Sequence, residues 1–267
     1  MGSSSASATS LRWTGSALLA SVWASAALFG AYILVHFAGA LLDGQTDRWN
    51  ETLPDLFNPD NPIATLGIGA HFAAGGIILS LGPIQLIAGI RDRWPTLHRW
   101  TGRLYVLTCL MAGVGGLTFI ALQGTLGGAT MDIGFGLYGL LMIWASVEAY
   151  RNGRARRLDV HRAWGIRLFA LAIGSWLYRM EYGFWFLTFG GLGHTDTFDG
   201  PFDWVMAFFF YLPNLLVAEA YLRAEGAPPP ALRWGLSAAF VGAVAFIVLA
   251  TWKMTTLLWA PAILAAF

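Results

Sequence analysis

Charge, lysine and cysteine are all scarce in this 267-residue sequence. Charged residues make up 12%, about half of the roughly 25% usual in a soluble domain. The net charge is +1, so no global field recruits an acidic partner. Cys109 stands alone, which excludes a disulfide framework and any multi-cysteine zinc or iron–sulfur site. The one lysine is Lys253. No phosphate-binding P-loop or Rossmann glycine fingerprint occurs, so nucleotide use has no support, and no HExxH zinc-protease motif is present. What is abundant is apolar: 57% of residues, with 13 Trp and 18 Phe and a mean hydropathy of +0.59. No small soluble core could hide so much aromatic surface. This composition rules out a soluble enzyme, a disordered chain and a nucleic-acid binder, and leaves a polytopic membrane protein.

Spanning helices need about 20 predominantly apolar residues. Seven such runs can be read, at about 14–42, 63–90, 104–123, 132–150, 164–188, 203–222 and 234–253. They are too long and continuous for barrel strands, so the expected fold is an all-α bundle of about seven spans. The expected organisation is a short cytoplasmic tail (1–13), a single transmembrane domain (14–253) and an apolar tail (254–267). The Ser-rich start, Gly2 to Ser10, reads as a disordered tail. The first run is too long for the apolar part of a cleavable signal. The last tail, interrupted by Pro261, either prolongs the final helix or lies along the interface.

The arginines set the orientation. With the N-terminus inside, the inner segments hold Arg12, then Arg91, Arg93, Arg99 and Arg103, then Arg151, Arg154, Arg156, Arg157, Arg162 and Arg167, then Arg223 and Arg233. That is 13 of the 16 basic residues, the positive-inside pattern. The outer loops are acidic instead: Asp43, Asp47, Glu51, Asp55 and Asp60, then Asp196, Asp199 and Asp203. The first outer loop, 43–62, is rich in Pro, Asp and Asn and is expected to be irregular.

Two inner turns echo each other. RDRWPTLHRWTGRLYVL joins the second and third spans, and RARRLDVHRAWGIRLFAL joins the fourth and fifth. His98-Arg99 corresponds to His161-Arg162, and Gly102 to Gly165, which suggests two related hairpins forming a four-helix core. These residues carry a family resemblance. His71 with GPIQL (82–86), Arg91, LHRWTGRLY (97–105), HRAWGIRLFAL (161–171), Arg179 and PNLLVAE (213–219) resemble the bacterial predicted membrane proteins of domain-of-unknown-function family 2306. The resemblance spans about 65–222. It implies a shared fold and a multi-pass place in the bacterial inner membrane. It implies no reaction, because that family has no established activity.

The five histidines fall into layers. His36 lies six residues from the outer end of its span and His71 about eight from the outer end of the next. At about 1.5 Å per residue they lie roughly 9 and 12 Å deep. His98 and His161 sit together at the inner boundary, and His194 is in an outer loop. Facing histidines in a bundle can ligate haem iron, which makes His36 and His71 candidate haem-b ligands, with His98 and His161 a second pair. The plainer alternatives are packed polar residues for the outer pair and interfacial helix-start residues for the inner pair.

Arg179 lies about fifteen residues into the fifth span, roughly 22 Å from the inside. A charge at the bilayer centre costs about 2.5–3.5 kcal/mol on insertion scales, so Arg179 needs an acceptor. Glu181 is two residues away on the same helix and points elsewhere. The remaining acceptors are Asp132, an outer-loop aspartate, or a ligand such as a haem propionate or quinone carbonyl. Glu219 is expected to pair with Arg167 or Arg223. Asn214 follows Pro213, which can kink its helix, and Gln85 sits beside Gly82-Pro83 as a packing residue. Gly75-Gly76, Gly115-Gly116 and Gly136 with Gly139 suggest close helix packing. A retinal protein does not fit, because Lys253 lies near the end of its span and the third span has no carboxylate.

Two functions follow. One is a haem-b or quinol-interacting protein using His36, His71 and Arg179. The other is a non-catalytic accessory subunit of a larger membrane complex, or a small-molecule transporter. The partners expected in either case are the lipid bilayer and other membrane subunits, with no nucleic acid or nucleotide.

Overall fold

A computed structural model describes residues 2–51, 56–226 and 228–264; Asp55 lies outside these. In chain order the helices are α1 (Gly2–Ile33), α2 (Gly39–Leu42), α3 (Pro62–Leu86), α4 (Ala88–Arg93), α5 (Pro95–Gln123) and α6 (Gly128–Arg154). They continue with α7 (Leu158–Ala172), α8 (Gly174–Phe189), α9 (Pro201–Phe209), α10 (Leu212–Ala224), α11 (Pro230–Met254) and α12 (Ala260–Leu264). No strand occurs among the described residues. Prolines stand at the first position of α3, α5, α9 and α11, where the missing N–H has no helical partner to lose.

Among the described residues, six helical stretches are long and apolar enough to cross a membrane: Ser5–Leu42, Thr65–Leu86, Pro95–Gln123, Gly128–Arg154, Pro201–Ala224 and Pro230–Leu264. The fifth apolar run of the sequence is instead two helices, α7 and α8, which meet at Ile173. Gly174 marks the break. A Cβ there would lie 3.3 Å from Phe210, so the chain passes close to the α9–α10 junction.

Several expectations change. The Ser-rich start is helical from Gly2, because its Ser and Ala residues tolerate helix and Leu11 is buried against Leu236 and Phe240 of α11. The apolar end takes the first of its two expected courses and prolongs the last helix, through a π-helical turn at Thr255–Trp259 into α12. Gly75, Gly76, Gly115, Gly116 and Gly136 make no close packing, since a Cβ on any of them meets nothing within 4 Å. Tight approaches between helices occur instead at glycines such as Gly139 (3.0 Å to Leu117), Gly113 (2.9 Å to Ile143) and Gly134, whose added Cβ would collide with the backbone of Ala207 in α9.

The two largest clusters of buried side chains among the described residues lie side by side along α3. One joins α3, α5, α6, α7 and the α9–α10 junction around Cys109, Leu168, Phe210 and Tyr211. The other joins α1, α3, α8 and α11 around Val22, Trp176 and Met180. Large apolar side chains such as Leu107, Met111, Leu140 and Trp144 stay exposed on the outside of α5 and α6, as lipid-facing positions do. His98 and His161 occupy the same register, each the fourth residue of its helix.

Candidate functional site

Irregular backbone inside a membrane bundle needs side-chain partners or a cavity. At the α7–α8 break the freed carbonyls find partners. Tyr138 of α6 donates its hydroxyl to the carbonyl of Leu171 at 3.0 Å. Asn214 of α10 reaches the carbonyls of Phe210 at 2.8 Å and Ala170 at 3.4 Å. Pro213 thus sits beside an interruption of the Pro201–Ala224 stretch at Phe210–Tyr211, as its position suggests.

Beside this break lies a cavity of about 140 Å³ walled by α3, α5, α6, α7 and α8, with a smaller one of about 30 Å³ adjoining it. Its walls are largely glycine and aliphatic, with Gly75, Gly113, Gly116, Gly139 and Met142 among them. Its polar groups are His71, Tyr138, Ser175, Tyr178 and Arg179. His71 and Arg179 line both cavities. His71 is nine residues past the start of α3 and Arg179 ten before the end of α8, which puts both about 15 Å from those helix ends.

Arg179 donates to the carbonyl of Ser175 at 2.7 Å. It pairs with no carboxylate among the described residues. The acceptors anticipated within the chain are engaged elsewhere. Asp132 takes the Thr125 N–H at 2.7 Å, and Asp203 is held by an outer-loop network. Most of the guanidinium's five donors therefore remain available at the cavity. Glu181 lies apart, with a buried Oε2 that has no hydrogen-bond partner among the described residues.

The two outer histidines do not share this cavity. His36 lies in a π-helical turn, Leu34–Ala38, and stacks on Tyr32 with centroids 5.5 Å apart. The Phe37 and Phe72 rings touch each other at 4.3 Å, His36 edges Phe37 at 4.9 Å, and His71 edges Phe72 at 6.3 Å. The carbonyl of Phe37, in this turn, accepts from Trp49 Nε1 at 3.0 Å. Trp49 thereby anchors the first outer loop.

The inner residues are tied into helix contacts. His161 Nδ1 lies 2.8 Å from the carbonyl of Ala149, joining the start of α7 to the end of α6, and His98 starts α5. The Gln85 amide meets the Thr101 hydroxyl at 2.8 Å, linking α3 to α5. Glu219 forms a two-bond ion pair with Arg167, one contact at 3.1 Å. Arg167 also lies 4.8 Å over the Trp164 ring. Arg162 pairs with Glu225.

Sequence reasoning missed a second polar centre. Asp203, read as a loop acid, is fully buried in the first turn of α9. Its carboxylate accepts from the Tyr182 hydroxyl at 2.7 Å, the Thr195 N–H at 3.1 Å and the Gly200 N–H at 3.0 Å, and it lies 2.7 Å from His194 Nδ1. The signal was available, because an acid at the third position of a helix opened by Gly200-Pro201 is placed to cap it.

The family model described as "Predicted membrane protein (DUF2306)" matches residues 68–222. The match covers more than half of the chain and takes in His71, the inner turns and Arg179, so the chain belongs to this family of multi-pass membrane proteins of unknown function. No curated protein and no solved structure matches it.

Proposed function

We propose that this family member is a quinol-interacting protein of the bacterial inner membrane. On this reading the cavity beside the α7–α8 break holds a one-ring, lipid-soluble head group with its oxygen on Arg179 and His71. The observation that carries it is the pairing of a carboxylate-free Arg179 with His71 on one cavity wall. The cavity, at about 140 Å³, is close to the 150 Å³ cavity known to hold benzene, so it suits a single ring. Broken helices that place polar groups near mid-membrane are a recurring way to build such sites. The topology proposed with it counts α7 and α8 as one interrupted crossing. That gives seven spans, with the N-terminus inside and the C-terminus outside, in keeping with the arginine distribution.

Haem b between His36 and His71 is the competing reading. The Phe37–Phe72 contact beside both imidazoles, and the absence of His36 from both cavity linings, count against it. The test is titration of the purified protein in lipid nanodiscs with tetramethyl-1,4-benzoquinone, followed by tryptophan fluorescence. Saturable binding is expected in the parent protein. Arg179→Leu should weaken it about tenfold or more, since a hydrogen bond to a charged group is worth about 1.5–3 kcal/mol. Equal affinity in parent and variant refutes the reading. A Soret band lost in His71→Ala would establish haem in its place, and co-purification with a larger complex would favour an accessory subunit.

A further inference from the structure

The cavity's Tyr178 belongs to a row of polar groups that ends at the outer surface. Tyr178 and Tyr182 are one turn apart on α8, with ring centroids 4.5 Å apart. Tyr182 donates to Asp203 Oδ1 at 2.7 Å, and the same oxygen lies 2.7 Å from His194 Nδ1. His194 is the outermost member, on the loop between α8 and α9, where its side chain keeps 11% exposure while the Asp203 side chain has none. The rings of Tyr182, Phe186 and Phe198 enclose the imidazole. The neighbouring acid Asp199 turns away to Thr195 and Thr197, and the other charged or titratable groups at the inner end are Arg179, His71 and Tyr138.

We infer that Tyr178, Tyr182, Asp203 and His194 form a proton path between the cavity and the outer face, serving the ligand site proposed above, on which this inference rests. Inward transfer balances as follows. Outer water protonates His194 Nε2, and the Nδ1–H bond breaks as Asp203 Oδ1–H forms. Asp203 passes its proton to the Tyr182 oxygen as the Tyr182 proton moves to Tyr178. The Tyr178 O–H bond then breaks as the ligand's anionic oxygen gains the proton. One proton enters and one anion is neutralised, with Arg179 holding the anion beforehand. The reverse sequence releases a proton outward.

The test uses the full chain in proteoliposomes with 4-nitrophenol, a one-ring chromophore whose phenolate is coloured. Equilibrium absorbance reports binding, and a stopped-flow jump of outer pH reports how fast the bound probe is protonated. Tyr182→Phe and His194→Gln do not touch the cavity, so the affinity should match the parent's. Protonation should slow about a hundredfold, the lower end of what losing a positioned proton-transfer group costs. Thermal melts identify any variant that fails to fold, and the two substitutions act at separate links of the path. Normal binding with an unchanged rate in both variants overturns the path and leaves the ligand site standing. A parent protein that never binds the probe, or binds it equally after Arg179→Leu, overturns the site and the path with it.

Discussion

Replacing Arg179 by leucine separates a ligand-binding role from a structural one. An arginine at the centre of a bilayer costs about 2.5–3.5 kcal/mol on insertion scales. Within the chain its return is one hydrogen bond, to the carbonyl of Ser175 at 2.7 Å. Hydrogen bonds to charged groups are worth about 1.5–3 kcal/mol, so the two quantities nearly cancel. The replacement also leaves no counter-charge stranded, because no carboxylate pairs with Arg179 among the described residues. A buried structural ion pair behaves differently and loses about 3–5 kcal/mol when one partner is removed. Unfolding of the Arg179→Leu variant by dodecyl sulfate titration, followed by circular dichroism, should therefore give a stability within about 1 kcal/mol of the parent. Quinone affinity should fall about tenfold or more in the same preparation. A stability loss of about 3 kcal/mol would make Arg179 a structural residue, and unchanged affinity would remove it from the site.

Gly113 and Gly116 both line the cavity, one turn apart on α5, yet an added methyl meets Ile143 at 2.9 Å at the first and nothing within 4 Å at the second. In the same titration Gly113→Ala should cost about 1–3 kcal/mol through overpacking. Gly116→Ala should change stability by less than about 1 kcal/mol, and equal losses would contradict the cavity. Gly116→Leu should stay folded and block quinone binding, read by fluorescence. Asp203→Ala strands several buried donors at about 1–3 kcal/mol each, so a lower melting temperature and faster proteolysis of the 190–200 loop are expected. A double-mutant cycle on Arg167 and Glu219, whose side chains are 24% and 39% exposed, should give a coupling of about 1 kcal/mol or less.

Periodicity along the chain was readable where chemistry is one-dimensional. The apolar runs, the prolines that open helices and the pairing of Glu219 with Arg167 all follow from residue type and spacing. The break at Ile173 was not readable, because no proline marks it. Its freed carbonyls are satisfied by Tyr138 and Asn214, which lie far away in sequence. The arrangement around His71 was hidden for a related reason. Helix rise gives depth and says nothing of rotation, so His36 and His71 were placed in one layer as partners. Rotation turns His71 toward Arg179 and lays His36 on Tyr32.

Three polar side chains inside this bundle share one role. Each bonds a carbonyl where the helical backbone is irregular. Trp49 meets Phe37 at the π turn, Tyr138 meets Leu171 at the α7–α8 break, and Asn214 meets Phe210 at the α9–α10 break. These residues are polar because the backbone there is irregular, and the irregular backbone requires no ligand once they are in place. His71 bonds no freed carbonyl, and Arg179 uses one of its donors on Ser175 while facing the same cavity. His71 and most of the Arg179 donors, which no broken backbone uses, converge on one space, which is why the cavity is the place proposed here for chemistry.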